Sequence, residues 1–165
     1  VDITIREARL EDSYAITAIL RSLGWSDHMT QEGFSTTQAE ILERLESSLN
    51  EYPHTILVAE RQLQDAHARQ VVGYASVHWY AHLMHGSDGY VSELFVHPDM
   101  TGHGIGGRLL STIETYARER GCSRLLLMNR RIRESYARKF YAKHGWEEMG
   151  DAAFFSRVLS TTTSL

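Results

Sequence analysis

The chain is short of the residues that staple or break a fold: its 165 residues hold one cysteine, Cys122, and two prolines, Pro53 and Pro98. A lone cysteine closes no internal disulfide and builds no thiolate zinc site, so a reducing, cytoplasmic setting is expected. No uninterrupted apolar run approaches the roughly 20 residues of a membrane-spanning helix. The opening segment, VDITIREARLED, is charged from its second residue and has no apolar signal core. Excess positive charge is also lacking. With 17 Lys and Arg against 21 Asp and Glu, the net charge is −4, which argues against a protein that coats nucleic acid. The expected partners therefore include no membrane and no nucleic acid. What remains, 42% hydrophobic residues over this length, suits a single domain at 1–159 with a polar tail at 160–165.

Hydrophobic periodicity orders the elements. Ile3 and Ile5 alternate as a first strand, and Glu11 and Asp12 open a helix that carries Ala15, Ile16, Ile19, Leu20 and Leu23 to Gly24. After an irregular WSDHMTQEGFS, the spacing of Ile41, Leu42, Leu45 and Leu49 predicts a helix over 37–50. Strands at 55–61 and 71–80 read as a hairpin joined by the polar QLQDAHARQ, and a turn at 86–89 leads to a strand at 90–96. Leu109, Leu110, Ile113 and Ala117 then keep a helical period to Gly121, with an apolar strand at 124–129 beyond. Strand, helix, strand predicts a parallel crossover. A last helix at 134–144 and strands at 146–149 and 153–158 complete an α/β fold with a mixed, largely antiparallel central sheet and flanking helices.

The most informative stretch is 90–110, YVSELFVHPDMTGHGIGGRLL. Glycines at 102, 104, 106 and 107 let a ligand approach the backbone closely, and the helix beyond them aims unpaired N–H groups outward. An anion is the natural occupant. GHGIGG formally satisfies the dinucleotide pattern G-x-G-x-x-G, but no Asp or Glu lies between Gly121 and Arg133 to hold a ribose. A P-loop lacks its Gly-Lys-Ser/Thr.

VHPDMTGHGIGGRLL resembles motif A of the GNAT superfamily, the acyl-CoA-dependent N-acetyltransferases, and AxxFYxKxGW over 137–146 is similar to the family's last helix and following strand. The resemblance implies a GNAT-like fold with a splayed parallel strand pair and acetyl-CoA as the acetyl donor. It places the coenzyme pyrophosphate on Thr101, Gly102, His103, Gly104, Ile105, Gly106 and Gly107. Leu94, Phe95 and Val96 would pair with pantetheine, and Asn129 and Ser135 complete the cofactor-binding set. Two departures stand out: Thr101 replaces the usual Arg or Gln at the head of the loop, and Glu134 stands where an Asn often opens the last helix.

In this family the amine attacks the thioester directly. A lysine-like amine with a pKa of about 10.4 must first lose a proton, and Glu93 is the candidate base. Its competing reading is a structural carboxylate paired with an arginine. Strand alternation turns Glu93 away from an acceptor side that would then carry Tyr90 and Ser92. By resemblance Tyr141 protonates the departing thiolate; otherwise it packs with Phe140 on the sheet. Trp25, His28, Trp79 and Tyr80 are candidates for the acceptor end. No metal is expected, because His78, His82 and His85 would align only on a helix and lie in a strand and turn. The basic residues Arg130, Arg131, Arg133, Arg138, Lys139 and Lys143 read as a solvated face. The expected function is acetyl transfer to a primary amine of a small molecule or protein, with a homodimer as a further partnership. The alternative is a non-catalytic acyl-CoA sensor.

Overall fold

The computed structural model describes residues 2–51, 53–63 and 68–159; the tail expected at 160–165 and part of the hairpin connection, 64–67, lie outside the described residues. The chain divides into two compact units, residues 1–128 and 129–165.

The first unit is built on a five-stranded sheet. Strands β1 (Ile3–Glu7), β2 (His54–Gln62), β3 (Arg69–Ala81), β4 (Ser87–Val96) and β5 (Arg124–Leu127) lie in that spatial order. All neighbours are antiparallel except β4 and β5, which run parallel as the crossover predicts. Their ladder ends at Val91 and Leu127. Beyond that point β4 runs on to Val96, paired among the described residues with β3 alone.

The first helix, α1 (Ser13–Leu23), ends at Gly24, whose φ of 64° lies in the left-handed region that stops a helix. The segment expected to be irregular contains a short helix, α2 (Asp27–Gln31), because Ser26 caps it through the Met29 N–H at 3.4 Å and Met29 is buried. Helix α3 (Phe34–Asn50) starts three residues before the periodicity predicts, and α4 (Ile105–Glu119) follows the glycine run.

One face of the sheet packs Ile56, Val58 and Tyr74 against Ile16, Ile19, Ile41 and Leu45 of α1 and α3. On the other face α4 buries Ile105, Leu109, Leu110 and Ile113. The fit there is close: a Cβ on Gly89 would come within 2.7 Å of the Trp79 ring and 2.6 Å of Leu125. Arg6 ties β1 to β2 and to the start of α1 through Glu60 and Asp12, with contacts of 2.8 Å to both carboxyl oxygens of Asp12.

In the second unit the single helix expected at 134–144 is two short ones, α5 (Glu134–Ala137) and α6 (Phe140–Lys143). Lys139 between them is left-handed, with φ 55°. No residue from 134 to 144 is fully buried, so no packed stripe offsets the entropy of one continuous helix. The strands expected at 146–149 and 153–158 are not formed, since among the described residues no strand pairs with either segment.

Candidate active site

The glycine loop is shaped by its backbone. After β4, a 3-10 turn at Pro98–Met100 is capped by His97, whose ring accepts from the Asp99 N–H at 3.3 Å. Gly102 and Gly104 have φ of 81° and 74°, where a Cβ would be strained, and a Cβ at either would meet nothing within 4 Å. Gly104 is the N-cap of α4 and supplies no side chain to it. The helix start is therefore left to whatever ligand comes, while buried Ile105 anchors it to the core and Gly106 and Gly107 keep the first turn bare. Thr101 braces the loop by donating to the Pro98 carbonyl at 2.9 Å. His103 does the same through its Nδ1, 3.0 Å from the Thr101 carbonyl.

Upstream, β4 changes face. Ser76 of β3 pairs with Glu93, whereas Val77 pairs with Val91, so Ser92 is an extra residue bulged out of register. Simple alternation would put Glu93 opposite Tyr90. The bulge instead lines both up with the even-numbered side of β3, because His78 pairs with Tyr90. Ser92 turns the same way: its Oγ lies 3.1 Å from the Ser76 Oγ and 3.1 Å from the His78 Nε2.

Glu93 keeps an open side to solvent, yet its surroundings are crowded enough that burial holds the carboxyl above its ordinary value. The Tyr74 hydroxyl, His78 and Arg44 act in the opposite direction. Tyr74 is buried, and its hydroxyl has no hydrogen-bond partner among the described residues. Burial first, then the Glu93 charge, hold this phenol well above its usual range. His54 stacks on His78 with ring centroids 4.0 Å apart, and its Nε2 meets the Ser76 Oγ at 2.7 Å. Burial and His78 lower the His54 pKa against a raising influence from Glu51.

Around this centre the residues expected at the acceptor end separate. Trp25 sits edge-on to Phe95 at 5.1 Å, and Phe95 in turn to Tyr74 at 5.7 Å, which brings the α1–α2 loop over β4. His28 is held by Glu40 at 3.0 Å, and Arg44, one turn along α3, contacts the same carboxylate at 3.4 Å. Leu94, Phe95 and Val96 are half-buried on the strand segment that lacks a β5 partner. Trp79 is placed elsewhere. It is 5% exposed, donates to Thr55 Oγ1 at 2.9 Å and lies under Arg120 of the residue run that ends α4, because successive strand residues face opposite sides.

The three histidines do not act as one group. His78 joins His54, whereas His82 and His85 gather with Asp88, their ligand atoms within 4.8 Å of one another. Asp88 is fully buried, and its carboxylate already receives Arg124 at 2.7 Å, His82 at 3.0 Å and Ser123 at 3.1 Å. A cation there would share its oxygen with a guanidinium. Those hydrogen bonds outweigh burial and hold the Asp88 carboxyl below its ordinary value. Tyr80 lies against His82 at 4.9 Å.

In the second unit Tyr141 opens onto Phe140 and Trp146, at ring separations of 5.0 and 6.2 Å, and burial holds its phenol above the ordinary value. Asn129 accepts from the Ser135 hydroxyl at 3.0 Å, and Glu134 begins α5. Four residues of the Glu93 surroundings were not singled out by sequence reasoning: Tyr74, Ser76, His54 and Arg44. A signal existed, since Tyr74, Ser76, His78 and Tyr80 alternate as a polar row along an otherwise apolar strand.

Over 129 residues the chain is 32% identical to the aminoalkylphosphonate N-acetyltransferase of Salmonella typhimurium, covering 73% of this chain and 83% of that protein. The fold is similar to that of glucosamine-6-phosphate N-acetyltransferase from Arabidopsis thaliana, with a TM-score of 0.73, 19% identity and coverage of 97% of this chain and 100% of that one. It is also similar to a transcriptional regulator from Bacillus halodurans, with a TM-score of 0.76, 20% identity and coverage of 96% and 100%. The sequence profile of the acetyltransferase (GNAT) family matches residues 19–146, and the chain therefore belongs to the GNAT family of acetyltransferases, enzymes that acetylate an amine.

Proposed function

We propose that residues 1–159 act as one cytoplasmic domain that moves the acetyl group of acetyl-CoA directly onto the primary amine of a small molecule. The observation that carries this reading is the Ser92 bulge, which puts Glu93 beside Tyr90, His78 and Ser92 at the point where β4 loses its β5 neighbour. Bound acetyl-CoA supplies an electrophilic thioester carbonyl. The bare start of α4 and the loop 101–107 suit its pyrophosphate, and the backbone of Leu94, Phe95 and Val96 suits the pantetheine amides, as an added strand would. Glu93, its carboxyl raised by burial, takes the proton that an ammonium acceptor must lose before attack. Tyr141, protonated at neutral pH, supplies the proton for the departing thiolate. Asn129 and Ser135 steady the start of α5. Trp25, His28, Tyr80 and Tyr90 are the acceptor-side residues of this reading, from which Trp79 is dropped.

An aminoalkylphosphonate is the first acceptor to try, given the named activity of the Salmonella relative. Arg44, whose charge is felt at Glu93, offers a cation to an acid on such a molecule. Free-thiol release from acetyl-CoA with a panel of 2-aminoethylphosphonate, amino sugars and lysine peptides tests the reading. Release with a small amine supports it, release with peptides alone moves the acceptor to proteins, and acetyl-CoA binding without release favours a sensor.

A further inference from the structure

Burial is inverted in the turn between β3 and β4. The residues from His82 to Gly86 join Ala81 to Ser87, and Leu83 and Met84 among them are 109% and 92% exposed. The hydrophobic effect favours the opposite arrangement. What the turn directs inward is its imidazoles: His82 and His85 gather on Asp88, which is fully buried.

The geometry points to a zinc site made of His82, His85 and Asp88, with water in the fourth position. It stands apart from the acetyl-transfer reading. One ligand atom from each residue lies within 4.8 Å of the other two. A tetrahedral ion with bonds of about 2.0–2.2 Å holds its ligands about 3.4 Å apart, and His82 Nε2 already stands 3.0 Å from Asp88 Oδ2. The remaining adjustment falls on His85, whose exposed ring lies 4.5 Å from that of His82 and has room to turn.

Two neutral imidazoles and one carboxylate suit Zn2+ rather than Mg2+ or Ca2+, which prefer shells of oxygen. Burial opposes ionisation of Asp88, but hydrogen bonds led by that of Arg124 outweigh it, so this ligand is an anion at neutral pH. Zinc would take the place of the proton that His82 Nε2 shares with Asp88, the ring keeping a proton on Nδ1. Asp88 Oδ2 has a second lone pair for Arg124 at 2.7 Å, and Oδ1 keeps the Ser123 hydroxyl at 3.1 Å. Arg124 and Ser123 then serve as the outer hydrogen bonds that orient a ligating carboxylate. Because Asp88 pairs with Arg124 where β4 meets β5, the ion would pin the turn to the parallel strand pair.

The test uses the full chain without an affinity tag, stripped with EDTA and desalted. Calorimetric titration with ZnCl2 should show one site per chain in the micromolar range or tighter. Zinc at about 100 times Kd should raise Tm by about 5 °C or more, and Mg2+ and Ca2+ should do neither. His82→Ala and His85→Ala should each weaken zinc binding by about tenfold or more and shrink the Tm shift accordingly. If His82→Ala fails to fold, His85→Ala, at an exposed position, carries the same readout. His54→Gln, in the other histidine pair, should bind zinc as wild type does. No zinc binding by stripped wild type, binding only in the millimolar range, or wild-type affinity retained by His85→Ala overturns the site.

Discussion

Ser76 and Glu93 face one another across β3 and β4, although the next pair along, Val77 and Val91, is separated from them by a residue with no partner. That slipped residue, Ser92, turns a carboxylate that alternation would hide toward Tyr74 and His78.

The expected kinetic effect of Glu93→Gln is a fall in kcat/KM of about 10²-fold or more, the usual contribution of a positioned base. In wild type the acid limb of the pH profile should lie above the ordinary glutamate value of about 4.3, since burial raises this carboxyl. A pH series of kcat/KM checks both.

The same substitution should stabilise the fold. A carboxyl raised on folding favours the native state below its unfolded pKa, and that contribution is lost as pH rises through the folded value. At pH 7 Glu93→Gln removes the penalty. Its open side limits the gain in Tm to no more than about 2–4 °C, the equivalent of 1 kcal/mol in a chain of this size. Melting curves at pH 7 and pH 4 should show a gain only at the former.

If Tyr141 acts as proposed, Tyr141→Phe should lower kcat and leave acetyl-CoA affinity nearly intact, because the ring remains for packing and only the hydroxyl goes. Single-turnover rates and binding titrations separate the two effects; equal rates would remove Tyr141 from the reaction.

Gly104→Ala meets no neighbour within 4 Å but forces a left-handed residue, at a cost of about 1–2 kcal/mol. It should raise KM for acetyl-CoA more than it lowers kcat, as steady-state kinetics with varied donor would show.

Asp88→Asn should cost about 2 kcal/mol at pH 7, the worth of a hydrogen-bonded charge, by weakening the contacts to Arg124 and His82. Here the sign is opposite to Glu93. The Asp88 carboxyl is lowered on folding, so its stabilisation is present above its unfolded value and is lost as pH falls through the folded one. Denaturant unfolding at pH 7 and pH 3 should show the difference shrinking with acid.

Much of this was legible because it rests on local chemistry. The glycines at 102, 104, 106 and 107 announced a bare loop ahead of a helix, and Leu109, Leu110, Ile113 and Ala117 announced the buried face of α4. The face of Glu93 was not legible, since a bulge is a property of two strands in register and one strand's letters cannot show it. His54 was hidden for the same reason: 24 residues before His78 in the chain, it becomes its ring partner only through the β2–β3 pairing. Trp79 misled because an aromatic beside histidines reads alike whether it lines a cleft or fills a core. The closing strands failed because alternation along 146–149 and 153–158 does not by itself supply a pairing partner, and among the described residues no strand pairs with either segment.

The truncated β4–β5 ladder has a consequence for the empty enzyme. Five residues of β4, ending in Leu94, Phe95 and Val96, present an apolar strand edge without a ladder partner among the described residues, the kind of template on which chains associate edge to edge. A donor lying along it would act as a removable cover, so the protein's resistance to aggregation should rise and fall with the supply of the molecule it consumes.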